Sequence, residues 1–363
     1  MDPWAEAALW HGLHELAPPA APISRSELLG AQRLSPLLLR YLDAHGVPTA
    51  PEVRQALEMS AFGWSTFSTL ASRNGAHVVR ELQRVGIDCV VSKGPSIAAH
   101  YPAPQLRPYS DLDLLLPADA YTRALTHLHA AGFVPTANSE QPWSFFDRRC
   151  REGVNLHKQG GTHVDLHHRV PPWIWSDGLA PDKLMARSRS VESHGEVLPA
   201  LGAEDNLLVA ALHLVSDRNL AGANLLIWRD IAQLARAADP ATVVDRAREA
   251  RLDGWLRNVL LALPEPVRPH PLLDALSSSA RPQEIPHAAR LATLLSPVPS
   301  RLGARAYQVL RLPLPAAALC LAGAAVPSRP FLAATSDTDA SYARMWVRRA
   351  FRVRRDLKSR SVS

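Results

Sequence analysis

The sequence predicts an α+β fold, in which a central group of short strands is flanked by helices on both sides. Segments that are β-branched, or that alternate polar and apolar residues, are concentrated between residues 86 and 185, and both patterns are typical of strands. Residues 1–85 and 186–300 instead carry leucine, alanine and valine at helical spacing. We therefore expect an N-terminal helical region at 1–85, an α/β core at 86–185, a C-terminal helical domain at 186–300, and an apolar segment, linker and basic tail at 301–363.

Composition narrows the class of protein. The chain has 363 residues, of which 47% are hydrophobic, enough for more than one domain. Its apolar runs are shorter than the roughly 18–20 residues that a membrane span needs, and its three cysteines are widely separated. The N-terminus lacks the basic start and apolar run of a secretory signal. These features favour a cytoplasmic protein without a membrane span, and richness in alanine, arginine and proline is typical of a bacterial genome of high GC content.

The positive charge of the chain is concentrated in its tail. The net charge is +6, and residues 344–360 contain eight basic residues and one acidic residue. The rest of the chain is therefore nearly neutral, so the basic isoelectric point describes the tail alone. Trp346 and Phe351 are the only aromatic residues interleaved with these charges, which makes nucleic acid a weakly supported partner.

The N-terminal region is predicted to contain two main helices. Closely spaced leucines indicate a helix over Glu27–Leu42, split or kinked at Pro36. Pro48 and Pro51 end this segment, and a long helical pattern resumes over 52–84. Neither helix carries a chemical motif, so both are expected to pack against the next module.

The first strand leads into a turn that is suited to holding an anion. Residues 87–92 are β-branched and predict a buried strand, which continues into Lys93-Gly94-Pro95-Ser96 and a short helical run. A glycine turn between a strand and a helix can present backbone N–H groups to a phosphate. Lys93 is one of only four lysines in the chain. The alternative interpretation is a solvated lysine at a turn.

Two aspartates occur in an otherwise apolar strand. In Ser110-Asp111-Leu112-Asp113-Leu114-Leu115-Leu116, positions 111 and 113 point to the same face of a strand while the leucines fill the other. Adjacent carboxylates repel one another and resist desolvation, so an ionised pair needs a cation. A solvated strand end remains the alternative for an isolated Asp-x-Asp pattern.

A β-hairpin is predicted downstream of a helix at 119–131. The segments 154–158 and 162–167 alternate polar and apolar residues and flank a glycine-rich turn. His163, Asp165 and His167 share one face of the second arm. A zinc site is a weaker alternative, because the spacing of the nearby histidines matches no closed tetrahedral set; they are His157, His163, His167 and His168.

The C-terminal domain is predicted to be helical. Asp205 can cap a helix that runs through Val215, and Leu225–Ile231 begins another. The proline-rich stretch 264–299 is expected to cross the surface as a loop, with a helix near 287–295.

Together these motifs resemble the bacterial nucleotidyltransferase family related to the polymerase-β superfamily. The resemblance covers roughly residues 30–265, and the order and spacing of the motifs make it fairly specific. The residues that carry it are Lys93-Gly94, Leu106-Arg107-Pro108, Ser110–Leu115, Val164–His167 and, in the C-terminal helices, His213 and Trp228-Arg229-Asp230.

The resemblance implies a small mixed β-sheet and a site for two Mg²⁺ ions. It implies that Asp111 and Asp113 on one strand, and Asp165 on a neighbour, are the metal-binding and catalytic carboxylates. It assigns nucleotide binding to Lys93, Gly94, Ser96, Arg107 and His167, with Arg107 either contacting phosphate or bracing the aspartate strand. The turn Ser-Lys-Gly-Pro-Ser departs from the Gly-Ser turn usual in the superfamily.

The implied activity is transfer of a nucleoside monophosphate from an NTP to an acceptor with release of pyrophosphate. The acceptor is a small molecule, a peptide or a protein. Two alternatives remain open, an NTP-binding regulatory module without turnover and a nucleic-acid-binding protein that uses the basic tail. For Asp165, the alternative is a helix cap or a pair with an arginine such as Arg169. A P-loop ATPase is not supported, since the Gly-x-x-x-x-Gly-Lys-Ser/Thr motif does not occur.

Overall fold

A 34-residue helix packs against a seven-stranded mixed sheet in the computed structural model of the chain, and helices lie on both sides of the strands in sequence. The α+β prediction is thereby confirmed. The structure describes residues 3–20, 22–23, 33–136, 152–158, 162–171, 176, 178–216, 225–277 and 341–348, together with five further positions between 314 and 322. The helix expected near 287–295 lies outside these ranges. Within them, no helix combines the length and the apolar character that crossing a membrane requires.

Prolines begin the helices of the N-terminal region. The helices are α1 (Pro3–Trp10), α2 (Ser35–Ala44) and α3 (Pro51–Arg84). Pro36 and Pro51 each occupy the first turn, where the missing N–H costs no helical hydrogen bond. Pro36 therefore lies at the start of α2, which agrees with a split of the predicted helix at this position, and residues 27–32 of that prediction lie outside the described residues.

The sheet consists of seven strands in the order β3-β4-β5-β2-β1-β7-β6. Their bounds are β1 (Val90–Ser92), β2 (Leu112–Leu115), β3 (Val134–Pro135), β4 (Gly153–Lys158), β5 (Thr162–His167), β6 (Arg189–Ser193) and β7 (Glu196–Ala200). Strand β2 pairs antiparallel with β1 and parallel with β5, while β4 and β5 form the expected antiparallel hairpin. Strands β6 and β7 extend the sheet past residue 185, where the α/β core was expected to end.

The alternation of β2 directs its leucines into the core beneath α3. Leu112 and Leu114 are fully buried in a cluster with Val164 and Leu166 of β5. Helix α3 approaches so closely that a Cβ atom on Gly75 would lie 2.0 Å from Leu112 Cδ2. The opposite face of β2, which carries Asp113, is consequently turned away from α3.

The remaining helices follow the strands or lie between them. They are α4 (Pro95–Ala98), α5 (Tyr121–Ala130), α6 (Pro181–Ala186), α7 (Ala203–Ser216), α8 (Leu225–Ala237), α9 (Pro240–Glu249), α10 (Asp253–Leu261) and α11 (His270–Ser277), with 3₁₀ turns at Pro104–Leu106 and Glu265–Val267. Helices α1, α2 and α7–α11 contribute to one large apolar core. The described part of the basic tail is helical over 342–348.

A buried ion pair joins the sheet unit to helix α8. Arg107 donates to both carboxylate oxygens of Asp230, with Nε–Oδ1 at 3.0 Å and Nη2–Oδ2 at 2.7 Å. The Tyr101 hydroxyl donates to Asp230 Oδ1 as well, at 2.7 Å. Burial opposes the charged guanidinium, but the Asp230 carboxylate outweighs it and raises the pKa of Arg107. The Arg107 guanidinium therefore stays charged inside the protein.

We expect Asp230→Asn to lower the free energy of unfolding by about 3–5 kcal/mol, because it leaves the Arg107 charge buried without a counter-charge. Urea denaturation measures this loss. The control is Glu196→Gln, which breaks the more exposed pair of Arg80 and Glu196 and should change stability by about 0–1 kcal/mol. Equal losses in the two variants would contradict the view that the Arg107–Asp230 pair joins the two parts.

Candidate active site

Two carboxylates from neighbouring parallel strands face each other at the centre of the sheet. Asp113 of β2 lies in register with Asp165 of β5, and adjacent strands are about 4.8 Å apart. Asp113 is buried and Asp165 is half-buried. Asp111 directly precedes β2 and is partly exposed. Asp165 lies within a strand, so it does not cap a helix.

A lysine and a histidine contact the buried carboxylate. Lys93 Nζ lies 2.6 Å from Asp113 Oδ1, and His167 Nε2 lies 3.2 Å from the same oxygen. Lys93 follows β1, whose last residue, Ser92, pairs with Asp113 across the sheet. The structure thus brings Lys93, Asp113, Asp165 and His167 together, although they lie far apart in the chain.

The turn that carries Lys93 has an unusual backbone conformation. Lys93 has a φ of 60° and Gly94 a φ of 44° with ψ of −121°, values that L side chains seldom adopt. Such strain persists only where the surrounding structure compensates for it, and it is frequent at functional sites. Here the compensating contact is the ion pair between Lys93 and Asp113.

The two carboxylates of this cluster differ in their pKa. Burial opposes ionisation of Asp113, but the Lys93 ammonium and the His167 hydrogen bond hold the pKa of Asp113 well below its usual range. Burial, and after it the negative charge of Asp113, raises the pKa of Asp165 to about 7. Burial disfavours the charged lysine, yet Asp113 raises the pKa of Lys93. Asp113 is therefore ionised near neutral pH. Ionising Asp165 adds a second negative charge, which the nearby positive charges only partly offset.

The cluster fits a divalent cation. A carboxylate oxygen from each of Asp113 and Asp165 and a ring nitrogen of His167 all lie within 4.8 Å of one another. Carboxylate oxygens are the ligands that Mg²⁺ prefers. A bound cation would offset the burial and the repulsion from Asp113 that raise the pKa of Asp165. Asp111 is not part of this group in the structure, although it lies two residues from Asp113.

Ser96 and Arg107, to which the resemblance assigns nucleotide binding, hold the turn after β1 in place through hydrogen bonds inside the protein. The Ser96 hydroxyl is fully buried, donates to Leu201 O at 3.0 Å and accepts from Asn206 Nδ2 at 2.6 Å. The Ser96 N–H donates to Lys93 O at 2.9 Å, so both hydrogen-bond donors of Ser96 are used within the fold. Arg107 bonds Asp230 and places Nη1 3.5 Å from Gly94 O. Arg107 thus joins the turn after β1 to α8, which differs from the expected bracing of the aspartate strand.

The histidines of the hairpin do not gather into one group. His168 is buried and its ring lies 4.3 Å from the ring of Tyr121, while His157 and His163 stack across the hairpin at 6.2 Å. In the described part of the chain, His167 is the only one of the four that belongs to a set with metal-binding geometry.

Sequence reasoning did not identify the partners that hold the turn. In the sequence, Asp230 stands out only as part of Trp228-Arg229-Asp230, and Asn206 and Tyr101 belong to no motif. Asp230 gave one usable signal, since an acidic residue among apolar residues of a helix needs a buried partner. For Asn206 and Tyr101 the sequence pattern contained no comparable signal.

Comparisons with known proteins identify the family of the chain. A profile for the family described as an uncharacterised nucleotidyltransferase matches residues 26–266. No curated protein matches the chain. Among solved structures, an antigenic nucleotidyltransferase-like protein from Paracoccidioides brasiliensis is 18% identical, with a TM-score of 0.36, and the match covers 61% of this chain and 96% of that one. That likeness is too low to support an argument, but the profile matches well over half of this chain. The protein therefore belongs to the family of uncharacterised nucleotidyltransferases.

Proposed function

We propose that the protein is a divalent-metal-dependent nucleotidyltransferase that transfers a nucleoside monophosphate from an NTP to an acceptor and releases pyrophosphate. Membership of the family supports a nucleotidyltransfer reaction. The observation that carries the proposal is the register of β2 and β5, which sets Asp113 beside Asp165. Lys93 contacts the carboxylate of Asp113. The acceptor in this proposal is a small molecule, a peptide or a protein.

Three aspartates would hold the metal. Asp113 and Asp165 would be the principal ligands, and Asp111, which is partly exposed beside them, would complete a site for two Mg²⁺ ions. When bound, the metal would neutralise the triphosphate and favour in-line attack at the α-phosphorus. His167 contacts Asp113 and thereby keeps that carboxylate ionised and oriented.

The turn after β1 would hold the phosphates. Lys93 supplies a positive charge from a rigid backbone position, and a lysine acts on phosphate as a point charge. Gly94 permits the turn to reverse without a side chain over it. Ser96 and Arg107 would act indirectly, by holding this turn against α7 and α8.

Two other functions compete with this one. A regulatory module that binds NTP without turnover would need Lys93 and one metal site, but not Asp165. A nucleic-acid-binding protein would rely on the basic tail, which lies apart from the cluster in sequence. The pairing of Asp113 with Asp165 favours the enzyme, because a binding module gains nothing from two adjacent carboxylates that repel one another.

Turnover is tested by incubating the purified protein with Mg²⁺ and each labelled NTP, alone and with cell extract, and measuring pyrophosphate release. Label on the protein itself would identify self-modification, and label in the extract would reveal the size of the acceptor. The control omits Mg²⁺ and contains EDTA. NTP binding without any pyrophosphate release under all of these conditions would favour the regulatory module.

We expect Asp165→Asn to lower transfer by several orders of magnitude while Mg·NTP binding stays measurable, because it removes an interaction needed in the transition state. Turnover assays and calorimetry on the same preparation provide the two values. Asp119→Asn is the matched control, since Asp119 is exposed outside the cluster, and it should behave as the unmodified protein. Near-normal turnover of Asp165→Asn would remove Asp165 from the site.

Asp165→Asn should also reduce the effect of Mg²⁺ on the melting temperature. At pH 8, above the pKa of about 7, Asp165 is ionised beside Asp113, and this repulsion costs stability that a bound cation restores. We therefore expect Mg²⁺ to raise the melting temperature of the unmodified protein, and to change that of Asp165→Asn much less. In EDTA, Asp165→Asn should have a higher melting temperature than the unmodified protein. The metal assignment would be wrong if both proteins responded equally to Mg²⁺.

Lys93→Ala should weaken NTP binding in the presence of Mg²⁺ by about 1.5–3 kcal/mol, the value of a lost charge-assisted contact. Calorimetry measures this loss, and circular dichroism shows whether the variant remains folded. Lys183→Ala is the control, because Lys183 forms an exposed pair with Glu249. If NTP affinity were unchanged and only the melting temperature fell, the role of Lys93 would be limited to pairing with Asp113.

A further inference from the structure

A second group of metal-binding side chains lies in the N-terminal helical region. His11 and Glu15 follow α1, and His45 is the residue that ends α2. His11 Nδ1 lies 3.0 Å from Glu15 Oε2, and His45 Nε2 lies 3.1 Å from the same oxygen. All three ligand atoms are within 4.8 Å of one another. Two segments 30 residues apart in the chain thus converge on one point.

Neighbouring groups fix the orientation of the three side chains. The Gly12 N–H donates to Glu15 Oε1 at 2.9 Å, which turns the other oxygen, Oε2, towards the histidines. The buried ring of Tyr41 contacts both imidazoles, with centroids 5.5 Å from His11 and 4.5 Å from His45. Carboxylate and ring orientations are set in this way around known metal ligands.

The backbone of this segment is anchored as well. Arg229 Nη1 donates to the carbonyl oxygens of Leu9 and His11, each at 2.8 Å. The Tyr41 hydroxyl donates to Leu16 O at 2.8 Å. The loop that carries His11 and Glu15 is therefore held at both ends, which reduces the entropy that metal binding would otherwise have to overcome.

The ligand types and distances suit Zn²⁺. Two imidazoles and one carboxylate form a known zinc ligand set, in which water takes the fourth position. Bonds of 2.0–2.2 Å in a tetrahedral site separate the ligand atoms by roughly 3.3–3.6 Å, close to the 3.0 and 3.1 Å seen here. Glu15 is 54% exposed, so solvent reaches the open position. Mg²⁺ and Ca²⁺ fit less well, because they prefer oxygen ligands.

We propose that His11, Glu15 and His45 bind a Zn²⁺ ion that clamps the end of α1 to the end of α2. The ion would replace hydrogen bonds between the carboxylate and the two rings by three coordinate bonds. Because the clamp closes a long stretch of chain, it would stabilise the N-terminal region whether or not the sheet site holds a nucleotide. The competing explanation is an ion-pair network that takes up no metal.

The test uses the full chain carrying Asp165→Asn, so that the sheet site loses one of its three ligands and any binding that remains there is common to all the variants compared. After removal of metal with EDTA, Zn²⁺ is titrated by calorimetry, and Co²⁺ absorption reports the coordination geometry. His45→Ala and Glu15→Ala are compared in this background with His14→Ala, a neighbouring histidine outside the group. Circular dichroism confirms that each variant is folded.

We expect the parent and His14→Ala to bind one equivalent of Zn²⁺ with a tetrahedral Co²⁺ spectrum. His45→Ala and Glu15→Ala should lose that equivalent or bind it at least about tenfold more weakly, since loss of even an outer-shell partner costs about 10- to 100-fold. If His45→Ala does not fold, the exposed Glu15→Ala decides the result. Equal binding by all four proteins, or an equal loss in His14→Ala, would overturn the proposal and leave the ion-pair network.

Discussion

The burial of Asp113 is the constraint on which the centre of the protein depends. An ionised carboxylate inside a sheet is costly unless charged or hydrogen-bonding partners compensate. Lys93 and His167 provide that compensation from β1 and β5. The lysine reaches the carboxylate from a strained turn, so the geometry of that turn and the charge of the sheet are maintained together. The same arrangement leaves Asp165 short of compensation, which is the property expected of a cation site.

Helix α8 connects this centre to the rest of the chain through two consecutive residues. Asp230 holds Arg107, and Arg107 in turn lies against the carbonyl of Gly94 in the strained turn. Arg229 holds the carbonyls of Leu9, in the last turn of α1, and of His11, just after it. A single turn of helix therefore positions both the turn that carries Lys93 and the loop of the N-terminal histidines. Mutations in α8 should thus be interpreted with both places in mind, even though α8 contributes no metal ligand.

The two candidate metal sites differ in chemistry. The sheet site is dominated by carboxylates and is largely buried, whereas the N-terminal site combines two imidazoles with one exposed carboxylate. Ligand type is the main means by which proteins discriminate between hard cations such as Mg²⁺ and borderline ones such as Zn²⁺. The two sites would accordingly differ in their preference between these ions, and variants of one site allow the other to be examined separately.

Local pattern was sufficient for the strands β1, β2, β4 and β5 and for the faces on which the leucines of β2 lie. It also indicates Asp111 and Asp113 as candidate ligands, whereas the candidate role of Asp165 comes from the family resemblance. Side-chain alternation depends only on neighbours in sequence, and for that reason the sequence alone determined it. Three features depended on tertiary structure: the parallel register that sets Asp113 beside Asp165, the pairing of Arg107 with Asp230, and the meeting of His45 with Glu15. Each joins segments 30 to more than 100 residues apart, and such contacts are decided by how the helices and strands pack, which no local pattern specifies.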